Sequence, residues 1–277
     1  MSLKITDVAL PFNGVAAGAT PSTKLPTGLS YEQFLLIYGG ATLAQINRIV
    51  FKANGKPIID ISSRGGFSAG QRLDRLNKFD GRGAAAGILI VDFNRFGLRT
   101  RAAEEITKLG TGIQGSPNEI VQITCEVTID AAALNPTLSG KVIMSDPDVS
   151  GKLKHVHETM RRSNGAGVVE IADIPFGQYD AIQRITFENA TALGITEVEI
   201  MRDRRTIFKR TVSENNQIQS DGVRVPQADI FVFDPTEAGF GEEILSLAGV
   251  QSLQLRVTVT AAGDIPMILE YLGDVSA

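Results

Sequence analysis

INRIVFKANGKPIID, residues 46–60, and ITEVEIMRDRRTIFK, residues 195–209, are one hairpin written twice. Ile46, Ile49, Phe51, Asn54, Ile58 and Ile59 fall opposite Ile195, Val198, Ile200, Asp203, Ile207 and Phe208 without a gap. Upstream, at the same spacing, Leu25-Pro26-Thr27-Gly28 answers Ile174-Pro175-Phe176-Gly177. Apolar and turn positions coincide, so residues 25–60 and 174–209 should be the same supersecondary unit built twice. Asn54-Gly55 between apolar runs is the strongest short hairpin signal a sequence carries, and it fixes the type of that unit as β.

The likeness continues with shorter loops in the second copy. Leu89-Ile90-Val91-Asp92 resembles Phe231-Val232-Phe233-Asp234, and Glu126-Val127-Thr128-Ile129 resembles Arg256-Val257-Thr258-Val259. Deletions between elements are what compact domains tolerate. Val121, Ile123, Cys125, Val127 and Ile129 alternate with polar residues, as do Leu253, Leu255, Val257 and Val259. Both read as half-buried strands that turn the same face inward.

Between these strands Ser68 reads as the N-cap of a helix with Leu73, Leu76 and Phe79 on one stripe. A second short helix is expected over Thr100–Leu109, a polar one near 211–219, and strands at 86–93, 118–130, 229–234, 251–260 and 266–271. Residues 135–167, rich in Pro, Gly, Ser, Asp and His with little periodicity, read as a connection. The division that follows is residues 1–138 for a first unit with an N-terminal arm, 139–164 for a linker and 165–277 for a second unit. Short helices inserted between strands of a duplicated antiparallel domain predict an all-β chain of two sandwiches. Six or seven strands per copy are countable, which by itself does not establish the eight of a jelly roll.

Composition narrows the function. The chain has 277 residues, 43% of them apolar, enough for two cores of ordinary size. Its 27 basic and 31 acidic residues are well mixed and give a net charge of −4, without the basic stripe that direct contact with nucleic acid requires. Cys125 is the single cysteine, so no disulfide forms within the chain, and a core thiol is expected. No stretch has the roughly 20 apolar residues of a membrane span, and no signal peptide is visible.

No catalytic constellation stands out. His155-Val156-His157-Glu158 holds both histidines of the chain, one fewer than a cupin-type metal site needs. Gly110-Thr111-Gly112-Ile113-Gln114-Gly115 fits the dinucleotide pattern literally, but it follows a helix and precedes a strand, the reverse of the required order. The acidic turn Ser145-Asp146-Pro147-Asp148 offers oxygen atoms of the type calcium prefers, which makes Asp146 and Asp148 weak metal candidates. Catalytic and cofactor-binding residues are expected to be absent.

Val15-Ala16-Ala17-Gly18, Lys24-Leu25-Pro26-Thr27-Gly28 with Tyr31-Glu32, Thr159-Met160-Arg161-Arg162, Glu170 to Pro175 and Glu270-Tyr271-Leu272-Gly273 together resemble the corticovirus-type major capsid proteins of membrane-containing icosahedral bacteriophages. The segments occur in that family's order over nearly the whole chain, while residues 60–115 and 145–158 match poorly. The resemblance implies a tandem (double) jelly roll, a homotrimer with a nearly hexagonal outline, and a structural role in a virion shell around an internal membrane. It also implies synthesis in the host cytoplasm, contacts with neighbouring capsomers and with viral membrane proteins, and structural calcium. Two other readings remain for such a sandwich. One is a carbohydrate-binding module, against which stands the absence of Trp and the presence of only four Tyr. The other is a capsid vertex or spike protein, which need not carry a tandem copy.

Overall fold

A computed structural model describes residues 4–8, 10–82, 86–111, 113, 115 and 118–275. The first half supplies β1 (Ile5–Val8), β2 (Ser22–Leu25), β3 (Ser30–Gly39), β4 (Ile46–Ala53), β5 (Lys56–Ser62), α1 (Ala69–Phe79), β6 (Ile88–Asp92), α2 (Arg101–Glu104), β7 (Leu109–Gly110), β8 (Ile123–Ile129) and β9 (Thr137–Ser145). The second supplies β10 (Leu153–Ser163), β11 (Gly167–Ile171), β12 (Ala181–Glu188), α3 (Ala190–Leu193), β13 (Glu197–Arg202), β14 (Arg205–Thr211), α4 (Val212–Gln219), β15 (Ile230–Phe233), β16 (Leu245–Ser246), β17 (Leu253–Val259) and β18 (Gly263–Gly273).

Sheet order turns the repeat into an architecture. In the first half β1-β9-β3-β6 form one sheet and β2-β8-β4-β5 the other; in the second half the orders are β10-β18-β12-β15 and β11-β17-β13-β14. Strand for strand these are one pattern, eight principal strands in two facing four-stranded sheets, which is the jelly roll. Each sandwich has its own core: Phe34, Phe51, Val127 and Val142 belong to one, Ile185, Phe187, Ile200 and Val257 to the other. Edge-to-face ring contacts fill both, at 5.1 Å for Phe34–Phe51 and 4.8 Å for Phe208–Phe233. Each fully buried Phe stabilises its sandwich by about 1.5–3 kcal/mol.

The duplicated hairpins coincide in detail. Asn54 (φ 50°) and Gly55 (φ 83°) match Asp203 (φ 49°) and Arg204 (φ 66°), the pair of left-handed residues that a two-residue turn between twisted strands needs. Asn54 Oδ1 accepts from the Val121 and Gln122 N–H groups at 2.9 and 3.3 Å, while Asp203 Oδ1 accepts from those of Gln251 and Ser252, both at 2.9 Å. Both hairpins shift register at equivalent places, between Phe51 and Lys52 and between Ile200 and Met201. Cys125 opposite Phe51 and Leu255 opposite Ile200 are both fully buried, and burial pushes the Cys125 thiol well above its ordinary range.

A helix follows the expected cap at Ser68, and a second lies in the expected polar span, capped by Thr211. Ser68 and Thr211 each close a capping box, with Gln71 and Glu214, at the start of α1 and α4. Residues 101–107 are one helical turn continued as a 3₁₀ turn.

The structure corrects several expectations. The span 139–164 is mostly strand: β9 ends at Ser145 and β10 starts at Leu153, so only residues 146–152 connect the sandwiches. Its polar composition misleads because β10 is a sheet edge lying against another domain, where charged groups are paired rather than solvated. The strand expected from Asn118 begins at Ile123; Val121 is 63% exposed and its N–H serves the Asn54 turn. Within Gly110–Gly115, Gly112 and Gln114 lie outside the described residues, and Gly110 ends β7.

Candidate functional site

The two sandwiches meet along a seam. There β5, an outer strand of the first, runs parallel to β10 of the second and pairs at one position, Ile59 with Val156. The sheets β2-β8-β4-β5 and β10-β18-β12-β15 thereby become continuous across the molecule. Above this junction α1 of the first sandwich lies over the outward face of the second, and Phe79 packs against Ile230 and Val232 of β15.

Alternation decides what that face carries. Ile182, Ile185 and Phe187 of β12 turn into the core of the second sandwich, so Arg184, Thr186 and Glu188 turn out, towards α1. On β18 the core takes Met267, Leu269 and Tyr271, and Ile268 and Glu270 turn out. All eight residues of β12 are buried, because the outward face is covered as completely as the inward one.

Two charged networks occupy the covered face. Arg72, fully buried on α1, donates through Nε to both Glu188 carboxylate oxygens at 2.9 Å, and through its Nη1 to Glu158 and the Ser62 carbonyl. Glu158 also accepts from the Ser62 hydroxyl at 2.6 Å and from Arg64 at 3.1 Å. Burial opposes the Arg72 charge, but Glu188 and Glu158 outweigh it and hold the guanidinium ionised. Nearer the end of α1, Arg184 donates to Glu270 and Asp80, both at 2.7 Å. Burial works against the Glu270 carboxylate, yet Arg184 and Lys154 keep it below its usual range. Arg75 adds a third crossing, 3.5 Å from Asp229.

Buried pairs of this kind add little stability over a well-packed apolar contact, but they tolerate no mismatch. A displaced sandwich would leave ions unpaired in a dry seam. The arrangement fixes how the two jelly rolls stand against one another.

His155 and His157 sit at the rim of the seam. Their side chains leave β10 on the side opposite Val156 and Glu158, and His155 Nε2 bonds the Asp274 carbonyl at 2.9 Å beside Tyr179. Burial pushes both imidazoles below their ordinary pKa. They border a groove of about 760 Å³, together with Arg48, Lys56, Arg64 and Tyr179. The Asp148 carboxylate, on an exposed loop with Asp146, accepts from Lys108 at 2.8 Å and from the Val149 N–H at 2.8 Å. Among the described residues no three His, Cys, Asp or Glu side chains converge to hold a metal.

The sequence did not single out Arg72, Asp80, Arg184, Glu188 or Glu270. A charged residue inside the Leu73-Leu76-Phe79 stripe was the available signal, since Arg72 shares that buried side of α1.

Two eight-stranded sandwiches paired in one chain are the architecture of the double jelly-roll capsid proteins. The viral coat protein P2 N-terminal domain matches residues 7–143 and the viral coat protein P2 C-terminal domain matches residues 153–275. The chain belongs to this viral coat protein family, and it is a structural subunit of a capsid. Its sequence is 26% identical over 268 residues to the major capsid protein P2 of Pseudoalteromonas phage PM2, covering 94% of this chain and 93% of that one. The crystal structure of the PM2 protein superposes with a TM-score of 0.86 at 22% identity, covering 98% of each chain. The fold extends further: the STIV major capsid protein gives 0.67 at 12% identity, covering 98% of this chain and 97% of that one. The PBCV-1 capsid protein gives 0.62 at 10%, covering 98% and 94%. The division between the two family domains falls at the 146–152 connection.

Proposed function

We propose that three copies of this chain form a capsomer of nearly hexagonal outline, and that such capsomers tile an icosahedral shell around an internal membrane. The observation that carries the reading is the seam. Two similar sandwiches held in one fixed relation give each chain two equivalent lobes, and three chains give six. Six lobes about a threefold axis fill a hexagonal tile, and closed cyclic association is the common way such subunits assemble.

The role is mechanical, with no catalysis and no direct contact with nucleic acid. Viral membrane proteins beneath the shell and neighbouring capsomers are the expected partners. Divalent cations, calcium among them, act between chains, where acidic surfaces of a subunit with net charge −4 are brought together.

Light scattering on the purified chain tests the central claim. The expected mass is about 89 kDa, three times 29.7 kDa, and it persists on dilution because permanent interfaces bury thousands of Å². A stable monomer at micromolar concentration would overturn the reading.

A further inference from the structure

The internal repeat makes the seam one contact of a series, and it leaves two matching half-contacts open. In the seam the first sandwich contributes β5 and α1, and the second contributes the outward face of β10-β18-β12-β15. The equivalents of β5 and α1 in the second sandwich are β14 and α4. The equivalent of the covered face is the outward face of β1-β9-β3-β6 in the first.

Both open surfaces carry apolar groups where the seam counterparts are buried. The bulged position of the hairpin is Ile58 in the first sandwich, 1% exposed, and Ile207 in the second, 40% exposed. Leu35 and Ile37 of β3 pair with Ile90 and Ile88 of β6 on the outward side, with Ile143 of β9 on the same face, and all five are half-buried. In the second sandwich the β15 positions matching Ile88 and Ile90 are Ile230 and Val232, which Phe79 of α1 covers.

The chemistry changes on both partners together. Where the seam has Thr186 and Glu188, the open face has Leu35 and Ile37, and Ile143 stands where the seam has Glu270. On the helices Arg75 lies seven residues past its N-cap Ser68, and Ile218, 48% exposed, lies seven past Thr211. Asn215 stands in the place of Arg72. The charged seam face meets Arg72 and Arg75 of α1; the open face, where Leu35, Ile37 and Ile143 surround Lys141, has as its match a helix with Asn215 and Ile218 at those positions and Glu214 of the capping box as its one charge.

We infer that the outward face of β1-β9-β3-β6 receives β14 and α4 of a second copy of this chain. The register follows from the repeat. Ile59 pairs with Val156 in the seam; Phe208 is the equivalent of Ile59, and Thr6, opposite Ile143 as Val156 is opposite Glu270, is the equivalent of Val156. β14 therefore runs parallel to β1 of the next copy with Phe208 beside Thr6, and the exposed side chains of Ile207 and Ile5 come together at the rim. A head-to-tail contact of this kind closes into a ring when its rotation divides a full turn. The inference rests on the trimeric reading above and specifies the faces that make it.

Thiol cross-linking of the full chain tests the faces separately from the trimer. Ile5 and Ile207 are 38% and 40% exposed, so Ile5→Cys and Ile207→Cys leave both cores intact, and the buried Cys125 stays unreactive in the folded protein. Treated with a short bis-maleimide, the double variant should give covalent trimers on a denaturing gel, whereas either single variant should give none. Independently, Ile218→Asp should raise the concentration at which the oligomer dissociates at least tenfold, without lowering the fraction folded. A species of trimer mass by light scattering that yields no cross-link, and that is unaffected by Ile218→Asp, would overturn the assigned faces while leaving the trimer standing. A stable monomer would overturn both.

Discussion

Replacing Arg72 by Ala tests whether the seam is held by charge matching. The side chain is fully buried and is the common partner of Glu188 and Glu158, which are 3% and 7% exposed. Its removal leaves two carboxylates facing each other in a dry interface. Breaking a buried ion pair from one side costs about 3–5 kcal/mol, so at roughly 2–4 °C per kcal/mol Tm falls by about 6–20 °C. Thermal unfolding followed by circular dichroism at fixed protein concentration measures it. The sign of the pH dependence is also set. Burial raises the Glu188 pKa above its model-peptide value of 4.5, and Arg72 pulls it partly back. Without Arg72 only the weaker pull of Arg75 opposes the upward push of burial and of Glu158. A carboxyl whose pKa is higher folded than unfolded favours the folded state below the unfolded value, and that advantage is lost as pH rises through the folded value. The Arg72→Ala variant should therefore regain stability relative to wild type as pH is lowered from 7 towards 5. Combining Arg72→Met with Glu158→Gln and Glu188→Gln should recover at least half of the loss, because the one ion left without its partner, Arg64, is 36% exposed and stays solvated. If single and triple variants melt together and neither responds to pH, the seam is held by packing and the charge argument is refuted.

Other expectations follow from the same geometry. Asp203→Asn should leave Tm at pH 7 nearly unchanged, since Asn54 already does the same work in the first hairpin. The Ser252 and Gln251 N–H groups hold the Asp203 pKa below its ordinary 3.8, so wild type loses this turn as pH falls below that value and the variant does not; equal acid unfolding curves would contradict it. Chelation of divalent cations should loosen assembled shells while leaving trimers folded, as seen by electron microscopy and light scattering, and particles indifferent to chelator would exclude a role for calcium.

Local chemistry made the repeated parts of this fold legible. The hairpins at Asn54 and Asp203, the cap at Ser68 and the alternating strands around Cys125 and Leu255 depend on dihedral preference and on one buried face, and both are written in neighbouring residues. β3, β10 and β12 were not readable in the same way. A strand is recognised by the contrast between its faces. Leu35 and Ile37 put apolar groups on the outward face of β3, so its sequence runs Phe-Leu-Leu-Ile without contrast. Arg184 and Glu188 put ions on the outward face of β12, which reads as an ordinary solvated surface until α1 is seen to cover it. Asp148 shows the converse, since only the fold brings Lys108, 40 residues earlier in sequence, to 2.8 Å from its carboxylate. Residue order alone determined that the chain holds two copies of one β unit and how each turns its strands inward. Tertiary structure alone decided that the copies stand edge to edge along β5 and β10 with Arg72 and Arg184 between them, because a buried charge is stable only opposite a partner that folding brings from more than 80 residues away.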